Sequence, residues 1–275
     1  MRMQTALRIL WFLLVAPNLL SQCVPTAYRV VENWSGSGRL GSLYISLPST
    51  GFTVHNLTCL SKSLRASYPD WQDATVAIFS SAKAAGSFTA APAETSREFW
   101  LKSARPLHAL YILHKEKGEE YIEILPLGLG SDESLSSKIS ISEASSVRCK
   151  LELNARCITI LPQDIAIGPT NPAFNTPLRI RLHATVRADG SVKQVSSALN
   201  DPPTNHLARR YLTAAAKNLR RWQFDTGSSD IAMDVIYLFD AKKSTASVEI
   251  ADTTIPLCPN EACPSPRTDA RTREQ

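Results

Sequence analysis

Hydrophobic positions between residues 42 and 127 follow strand spacing and helix spacing in turn. Residues 42–47 alternate and residues 75–79 form a short apolar run, and both patterns are typical of strands. Between them, apolar side chains recur every three or four residues and predict one helix face that ends at Pro69; they are Val54, Leu57, Leu60, Leu64 and Tyr68. Ser80 and Ser81 follow the second strand and favour a second helix, because serine often caps a helix N-terminus.

Two further apolar runs, at residues 107–113 and 121–125, are joined by a charged segment that contains Gly118. This pattern predicts a β-hairpin and completes an α+β domain over residues 42–127, in which we recognise no family. Four glutamates in this region could supply a carboxylate pair for acid–base catalysis: Glu116, Glu119, Glu120 and Glu123. Because lysines lie among them, we interpret this cluster as a solvated hairpin tip.

Strict alternation begins at residue 178 and predicts a second α+β domain. Residues 178–187 place apolar side chains on one side and polar ones on the other, which indicates a half-buried strand. Ala188-Asp189-Gly190 is a turn, and residues 191–198 return as a second strand. The helix that follows has an apolar face with a repeat of four, at Leu207, Tyr211, Ala215 and Leu219. Residues 231–239 form the last predicted strand.

The order strand, strand, helix, strand resembles the C-terminal domain of TonB, the periplasmic energy transducer. The motifs that carry the resemblance are Ala188-Asp189-Gly190-Ser191-Val192, the small-residue helix and Arg221-Trp222-Gln223-Phe224. They lie within residues 175–242, under a third of the chain. The resemblance implies a three-stranded antiparallel sheet packed on one helix, and an extended receptor peptide bound beside the final strand, here residues 229–240.

Two parts of a TonB transducer have no counterpart in this sequence. The family has an uncleaved membrane helix, whereas the apolar stretch at residues 9–20 is much shorter than the ~20 residues that span a bilayer. The family also has a long spacer rich in proline, lysine and glutamate, whose place is taken here by a cysteine-containing domain. We therefore expect the fold without energy transduction.

A three-stranded sheet would leave its last strand as an edge with unpaired backbone groups, to which an extended segment can add as a further strand. We therefore expect the partner-binding residues in this strand, at Ile231, Met233, Asp234, Val235, Ile236 and Tyr237. The partner would be an extended protein segment, another envelope component or, in a homodimer, a second copy of the chain.

The N-terminus has the pattern of a signal peptide. Residues 1–22 contain Arg2 and Arg8, a short apolar core and the helix breaker Pro17. We predict export to the bacterial periplasm or secretion, with no stable membrane span; a permanent anchor is an alternative. The sequence before Cys23 weakly resembles a lipoprotein box, which would make this cysteine a lipid attachment site. Two glycosylation sequons, at residues 33–35 and 56–58, leave a eukaryotic secreted glycoprotein as a further alternative.

Six cysteines are consistent with an oxidising compartment. Cys149 and Cys157 flank a predicted hairpin turn, and Cys258 and Cys263 close a short loop, so we predict these two disulfides. The pairing of Cys23 and Cys59 stays open. Because no CxxC motif or cysteine–histidine ligand spacing occurs, we expect no metal site and no thiol catalysis.

We interpret three segments as linkers or tails. Residues 35–42 are rich in serine and glycine and contain a formal GxGxxG, but the strand and helix that a dinucleotide fingerprint requires are not predicted around it. We interpret residues 128–177 as a linker that carries the disulfide hairpin. Residues 259–275 are polar and predict a disordered tail.

Charge is concentrated in the second domain. The chain of 275 residues has 30 basic and 25 acidic residues, which is too even to imply nucleic acid binding. Residues 178–224, however, hold nine basic side chains and two acidic ones. We predict a basic patch at Arg209, Arg210, Lys217, Arg220 and Arg221. In an exported protein this patch could contact anionic lipid head groups, cell-wall polymers or an acidic partner, or it could be a solvated face.

These patterns favour a binding or adaptor protein over an enzyme. Strand addition uses backbone hydrogen bonds, so it requires no catalytic residue and no cofactor. The alternative is a secreted hydrolase with its site in the first domain. The five histidines show no HExxH spacing, and no GxSxG motif supplies a nucleophile.

Overall fold

The computed structural model describes residues 23, 27–35, 39–90, 105–129, 133–141, 149–167, 177–198, 206–240, 243 and 245–259. These residues form two six-stranded sheets, one three-stranded sheet and three α-helices, an α+β fold as predicted. The strands of the first sheet are β1 Arg29–Ser35, β2 Leu40–Ser46, β3 Asp73–Phe79, β4 Leu107–His114, β5 Glu119–Ile124 and β6 Ser137–Ser140.

The first sheet has the order β1-β2-β3-β4-β5-β6 and is covered by a helix on each face. Helix α1 (Val54–Ser67) connects β2 to the parallel strand β3, and helix α2 (Ala82–Thr89) follows β3. Val76 of β3 shares a core cluster with the leucines of α1, whereas Ala77 shares a second cluster with Ala85 of α2. Because successive strand residues point to opposite faces, the two helices cover opposite sides of the sheet.

Most elements predicted for the first domain are confirmed. Helix α1 buries Leu57, Leu60 and Leu64, and the Thr53 side chain caps it by accepting a hydrogen bond from the Asn56 N–H. Ser81 caps helix α2 in the same way. Strands β4 and β5 form the predicted hairpin, with Gly118 in the left-handed conformation at φ 66°. Helix propensity and apolar spacing therefore agree with the tertiary structure in this region.

Two boundaries of the first domain were wrong. Strand β1 pairs with β2 and β6 pairs with β5, so the sheet extends into both predicted linkers. Within residues 35–42, Gly41 lies inside β2, where an added Cβ would overlap the Trp71 ring. The glycine is therefore needed for close packing and not for linker flexibility. Gly36 and Gly38 lie outside the described residues.

The second sheet has the order β11-β10-β13-β14-β15-β9, and only β9 and β15 are parallel. A three-stranded sheet, β12-β8-β7, lies between the two larger sheets. The remaining elements are β7 Glu152–Leu153, β8 Arg156–Ile160, β9 Asp164–Ile165, β10 Leu178–Val186, β11 Val192–Ser197, α3 His206–Leu219, β12 Gln223–Phe224, β13 Ile231–Asp240, β14 Thr245–Ile250 and β15 Thr253–Pro259.

The predicted strand–strand–helix–strand elements are confirmed as β10, β11, α3 and β13, but the three-stranded sheet is wrong. Strands β14, β15 and β9 extend it to six strands. The alternation that predicts a strand is present in β14, which buries Ala246, Val248 and Ile250. The domain therefore continues beyond residue 242, to the end of β15.

Strand β13 is not the outermost strand of its sheet, which corrects the sheet that the predicted partner-binding site assumes. It pairs with β10 along Ile231–Phe239 and with β14 from Ile236 to Asp240. Beyond the end of β14, the Ala232 carbonyl accepts a hydrogen bond from the Asn154 side chain. From residue 236 onward, the backbone groups that would have bound a partner strand, or a second copy of the chain, are thus used within the molecule, whereas β14 does not reach residues 231–235. The six predicted residues are Ile231, Met233, Asp234, Val235, Ile236 and Tyr237.

Side-chain burial separates these six residues into two groups. Met233, Val235 and Tyr237 are at most 3% exposed and belong to the core beneath α3. Asp234 lies on the opposite, open face of the sheet, where it pairs with His183 and lies 3.8 Å from Arg181. Inward residues of this strand therefore stabilise the fold and do not face a partner.

Asn218 ties the end of α3 to its neighbours. Its side-chain oxygen accepts hydrogen bonds from Trp222 Nε1, at 3.0 Å, and from the Tyr237 hydroxyl, at 2.8 Å. Its amide nitrogen donates to the carbonyls of Pro162 and Asp164. Trp222 and Phe224 are buried, as expected for core anchors. The helix and the segment around β9 are consequently held in one fixed arrangement.

The two domains contact each other through the three-stranded sheet. Ile160 of β8 belongs to the core of the first domain, although its strand pairs with β12 of the second. The Asp225 carboxylate accepts a hydrogen bond from the Val54 N–H at the start of α1. Arg156 donates to the backbone carbonyls of Asp225 and Ser229. These contacts join the N-terminus of α1 to the loop that follows β12.

The structure contains two disulfides among the described residues. The predicted Cys149–Cys157 bridge is confirmed, with 5.5 Å between the Cα atoms. The second joins Cys23 to Cys59 of α1, a pair that the sequence left open. A Cys23 sulfur in a disulfide is not available for lipid attachment. Cys263 lies outside the described residues, so the Cys258–Cys263 bridge stays a prediction.

Candidate functional site

A groove of about 610 Å³ lies between helix α3 and the segment that contains β9. One wall is the exposed side of α3 and the other is the chain from Asp164 to Ala166. Basic, small and apolar side chains line it together: Asp164, Ile165, Ala166, Arg209, Arg210, Thr213, Ala214, Lys217, Asn218 and Arg221. This groove contains most of the basic patch predicted from the sequence.

Helix periodicity places the cations in the groove. Tyr211, Ala215 and Leu219 form the apolar stripe of α3 and are at most 3% exposed beneath it. Burying that stripe turns Arg210 and Lys217, which are two turns apart, toward solvent on the opposite side. The core packing of the helix therefore determines which side chains reach the groove.

Hydrogen bonds from Asn218 and Arg221 fix the wall opposite α3. The buried Asn218 amide holds the Pro162 and Asp164 carbonyls at 2.7 and 3.0 Å. The Asp164 carboxylate accepts two hydrogen bonds from the Arg221 guanidinium, at 2.6 and 3.0 Å. Two parallel hydrogen bonds between arginine and a carboxylate give a strong and directional pair. The groove is thus preformed and not assembled by a ligand.

The groove carries an excess of positive charge, with four cations and one carboxylate. Arg221 is neutralised by Asp164. Among the described residues, no carboxylate oxygen lies within 4.0 Å of a side-chain nitrogen of Arg210 or Lys217. Uncompensated cations in a concave site attract anions, because the low-dielectric walls concentrate the field.

Four of the five predicted basic residues line this groove, and Arg220 does not. Arg220 is exposed in the turn that follows α3, next to Arg221. The opposite wall was not predicted, since β9 has only two residues and pairs with a strand about ninety positions later in the chain. The sequence held one indication of Asn218's role, because this polar residue lies on the apolar stripe of a helix.

The glutamates of the first domain form structural contacts. Glu120 accepts a hydrogen bond from the Tyr111 hydroxyl at 2.9 Å and lies 3.8 Å from Arg65. Burial, helped by this hydrogen bond, raises the pKa of Tyr111 well above its usual value. Glu123 accepts a hydrogen bond from Ser136. These carboxylates stabilise the outer strands of the first sheet, and nothing brings two of them together around a cleft.

A second cavity, of about 390 Å³, lies where β2 and β3 end. Among the described residues, Arg29 is its only charged lining residue, beside the hydroxyls of Ser46 and Ser80. Elsewhere in the first domain, His108 is buried, and its ring nitrogen Nδ1 lies 3.2 Å from the Leu125 carbonyl. Burial, with a smaller effect of Arg221 in the same direction, lowers the pKa of His108 to about 4.

The outer strands of the second sheet carry features that oppose strand addition. Strand β11 has a register shift opposite Gln194, which adopts a positive φ of 51°. Strand β15, which β9 covers only at its end, contains Pro256, and proline has no N–H to donate. Bulges and prolines of this kind prevent edge-to-edge pairing in natural sheets. The groove is therefore the better candidate for a binding site.

No three metal-ligating side chains come together in the part of the chain that the structure describes. None of the described helices is long and apolar enough to cross a bilayer. No known protein family, curated protein or solved structure matches the chain.

Proposed function

We propose that the protein is an exported binding protein that holds an extended anionic segment of a partner in the groove along α3. The observation that carries this proposal is the uncompensated pair Arg210 and Lys217 in a preformed groove. Electrostatic attraction and backbone contacts supply the affinity, so the function requires no catalytic residue and no cofactor.

Export is part of the proposal. The signal-peptide pattern of residues 1–22 supports it, and so do the two disulfides, which are typical of oxidising compartments. Cys23 would be retained after cleavage, because it is bonded to Cys59 within the first domain. The resemblance to a periplasmic family favours the bacterial periplasm over the extracellular medium.

The TonB-like unit of β10, β11, α3 and β13 serves in this proposal as a binding scaffold without energy transduction. The partner does not add along the whole of β13, because β14 already pairs with its second half. It binds instead on the helix side of the unit, where α3 presents its cations. The first domain positions this scaffold through the contacts of Asp225 and Ile160.

The proposal is tested with the chain from Cys23 onward and fluorescein-labelled decaglutamate as a general anionic probe, with binding followed by anisotropy. We expect Arg210→Glu combined with Lys217→Glu to weaken binding by roughly tenfold or more, since two attractions become repulsions. Arg220→Glu is the control, with one such charge reversal outside the groove lining. Equal weakening by the control, or no binding by the unmodified chain, would overturn the proposal.

A further inference from the structure

The cations of the groove lie along one line. Arg210 and Lys217 are separated by about 10 Å of helix, at 1.5 Å per residue. The lining that α3 contributes, from Arg209 to Asn218, measures about 14 Å. An extended chain of four or five residues has about this length, at ~3.1 Å per residue. The groove therefore suits a linear ligand that lies along the helix.

From this spacing we infer that the bound segment is an acidic stretch of protein with two carboxylates three residues apart. This inference rests on the proposed function. Three residues of a chain in the polyproline II conformation span about 9 Å, close to the ~10 Å between Arg210 and Lys217 along the helix. The repeat of three in this conformation places both carboxylates on the same side, so that one faces each cation. The two positions between them pass over Thr213 and Ala214, which lie between the two cations on α3.

The residues between the cations suit a peptide. The Thr213 hydroxyl donates to the Arg209 carbonyl, so its oxygen can accept a hydrogen bond from a peptide N–H. Ala214, Ile165 and Ala166 supply small or apolar surface for uncharged side chains. Such a mixed lining matches a chain in which charged and uncharged residues alternate in short intervals.

The charge balance of the groove argues against a denser anion. A polyphosphate carries a charge on every unit, whereas Asp164 already occupies the Arg221 guanidinium and leaves Arg210 and Lys217 as the uncompensated cations. A bilayer surface is flat, whereas these cations lie inside a groove. A protein segment with charges only at every third residue matches these two cations.

Arg221 is already occupied, because both of its terminal nitrogens donate to Asp164. The carboxylate of Asp164 thus takes the place that a third acidic residue of the partner would use. Replacing it by asparagine removes the only negative charge among the described lining residues and makes the Arg221 guanidinium available. A segment with a third acid, three residues beyond the second, should then bind more tightly.

The experiment compares labelled decapeptides of serine and glycine that contain two glutamates, either three residues apart or adjacent. We expect the spaced peptide to bind at least roughly threefold more tightly, and Arg210→Gln or Lys217→Gln each to weaken it roughly three- to fivefold. Arg220→Gln should leave its affinity unchanged. Asp164→Asn should strengthen binding of a peptide with the third glutamate by roughly threefold or more.

Competing probes separate the possible failures. Two competing probes are inorganic polyphosphate and phosphatidylglycerol vesicles. If either binds more tightly than the spaced peptide, and binds less tightly to Arg210→Gln, the groove is a binding site but the peptide assignment is overturned. Equal affinity for spaced and adjacent glutamates would overturn the register. Absence of binding by every anionic probe would instead overturn the proposed function itself.

Discussion

The two six-stranded sheets of this protein differ in how their faces are covered. In the first sheet, Glu120 and Glu123 bond to side chains of the same domain, and helices cover both faces. In the second sheet, one helix covers one face, and that helix leaves Arg210 and Lys217 without a carboxylate within 4.0 Å among the described residues.

This difference is the reason that we place the proposed binding site in the second domain. A paired charge contributes to folding, and its neighbours account for its presence. A cation held in a preformed groove without a partner contributes little to stability, and we propose a ligand as the reason for its position. In this proposal the first domain serves as support.

The largest expected effect concerns Asn218, which connects the groove to the core of the second domain. Replacement by alanine leaves Trp222 Nε1 and the Tyr237 hydroxyl without their acceptor, and releases two carbonyls near β9. We expect a loss of about 4 kcal/mol in the free energy of unfolding, measured by urea denaturation. Asn154→Ala removes a single exposed hydrogen bond and should cost less than about 1 kcal/mol. Similar losses in the two variants would contradict the role of Asn218.

In the first domain, the buried His108 makes stability depend on pH. Its folded pKa, about 4, lies below the unfolded value of 6.5, so the unfolded chain takes up a proton first as the pH falls. The stability from keeping this ring neutral is present in full above pH 6.5 and is lost as the pH falls toward 4. The expected loss is about 3 kcal/mol.

Asp225 acts in the opposite direction over its own range, because burial raises its pKa. His108→Phe isolates the histidine contribution, since phenylalanine can keep the edge contact with Phe52 and does not titrate. Urea denaturation at pH 7 and pH 4.5 measures both proteins. A variant whose stability declines as steeply as that of the parent would show that His108 is not responsible.

The smallest expected effect is a pair of glycine substitutions in the first domain. Gly41→Ala places a methyl group against the buried Trp71 ring and should destabilise the fold by about 2 kcal/mol. Gly86→Ala, in helix α2, has its nearest neighbour 3.9 Å away and should be neutral or stabilising by up to about 1 kcal/mol. Thermal unfolding followed by circular dichroism compares them; equal melting temperatures would contradict the close packing at Gly41.

Much of the fold was predictable because its main elements are amphipathic. The apolar stripes of α1 and α3 and the alternation of β10 follow from burial of one face, and each is present in the structure. Strand β6 coincides with the strand pattern around Ile139 and Ile141. Strands β1 and β9 were not predicted, since β1 is largely polar, β9 has only two residues, and each is specified by pairing with another strand. Strand β14 had a clear alternation that the three-stranded expectation left unused.

The candidate site was predictable only in part. Helix periodicity assigns each residue to the buried or the exposed side, so the exposure of Arg210 and Lys217 could be predicted from the sequence. The wall at Asp164 depends on tertiary hydrogen bonds of Asn218, and no local pattern encodes it. For strand β13, the predicted strand is present, but its position at the edge of the sheet was wrong because β14 pairs beside it.

The central claim is that Lys217 and Arg210 each face one acidic residue of a bound segment, and a charge exchange tests it most directly. Lys217→Glu should weaken binding of the peptide with spaced glutamates. Replacing the one peptide glutamate that faces residue 217 by lysine should restore the affinity for this variant to within roughly threefold of the original pair. The same lysine peptide should bind poorly to the unmodified chain. If neither glutamate-to-lysine exchange restores binding to Lys217→Glu, the peptide does not lie along α3 as the account requires.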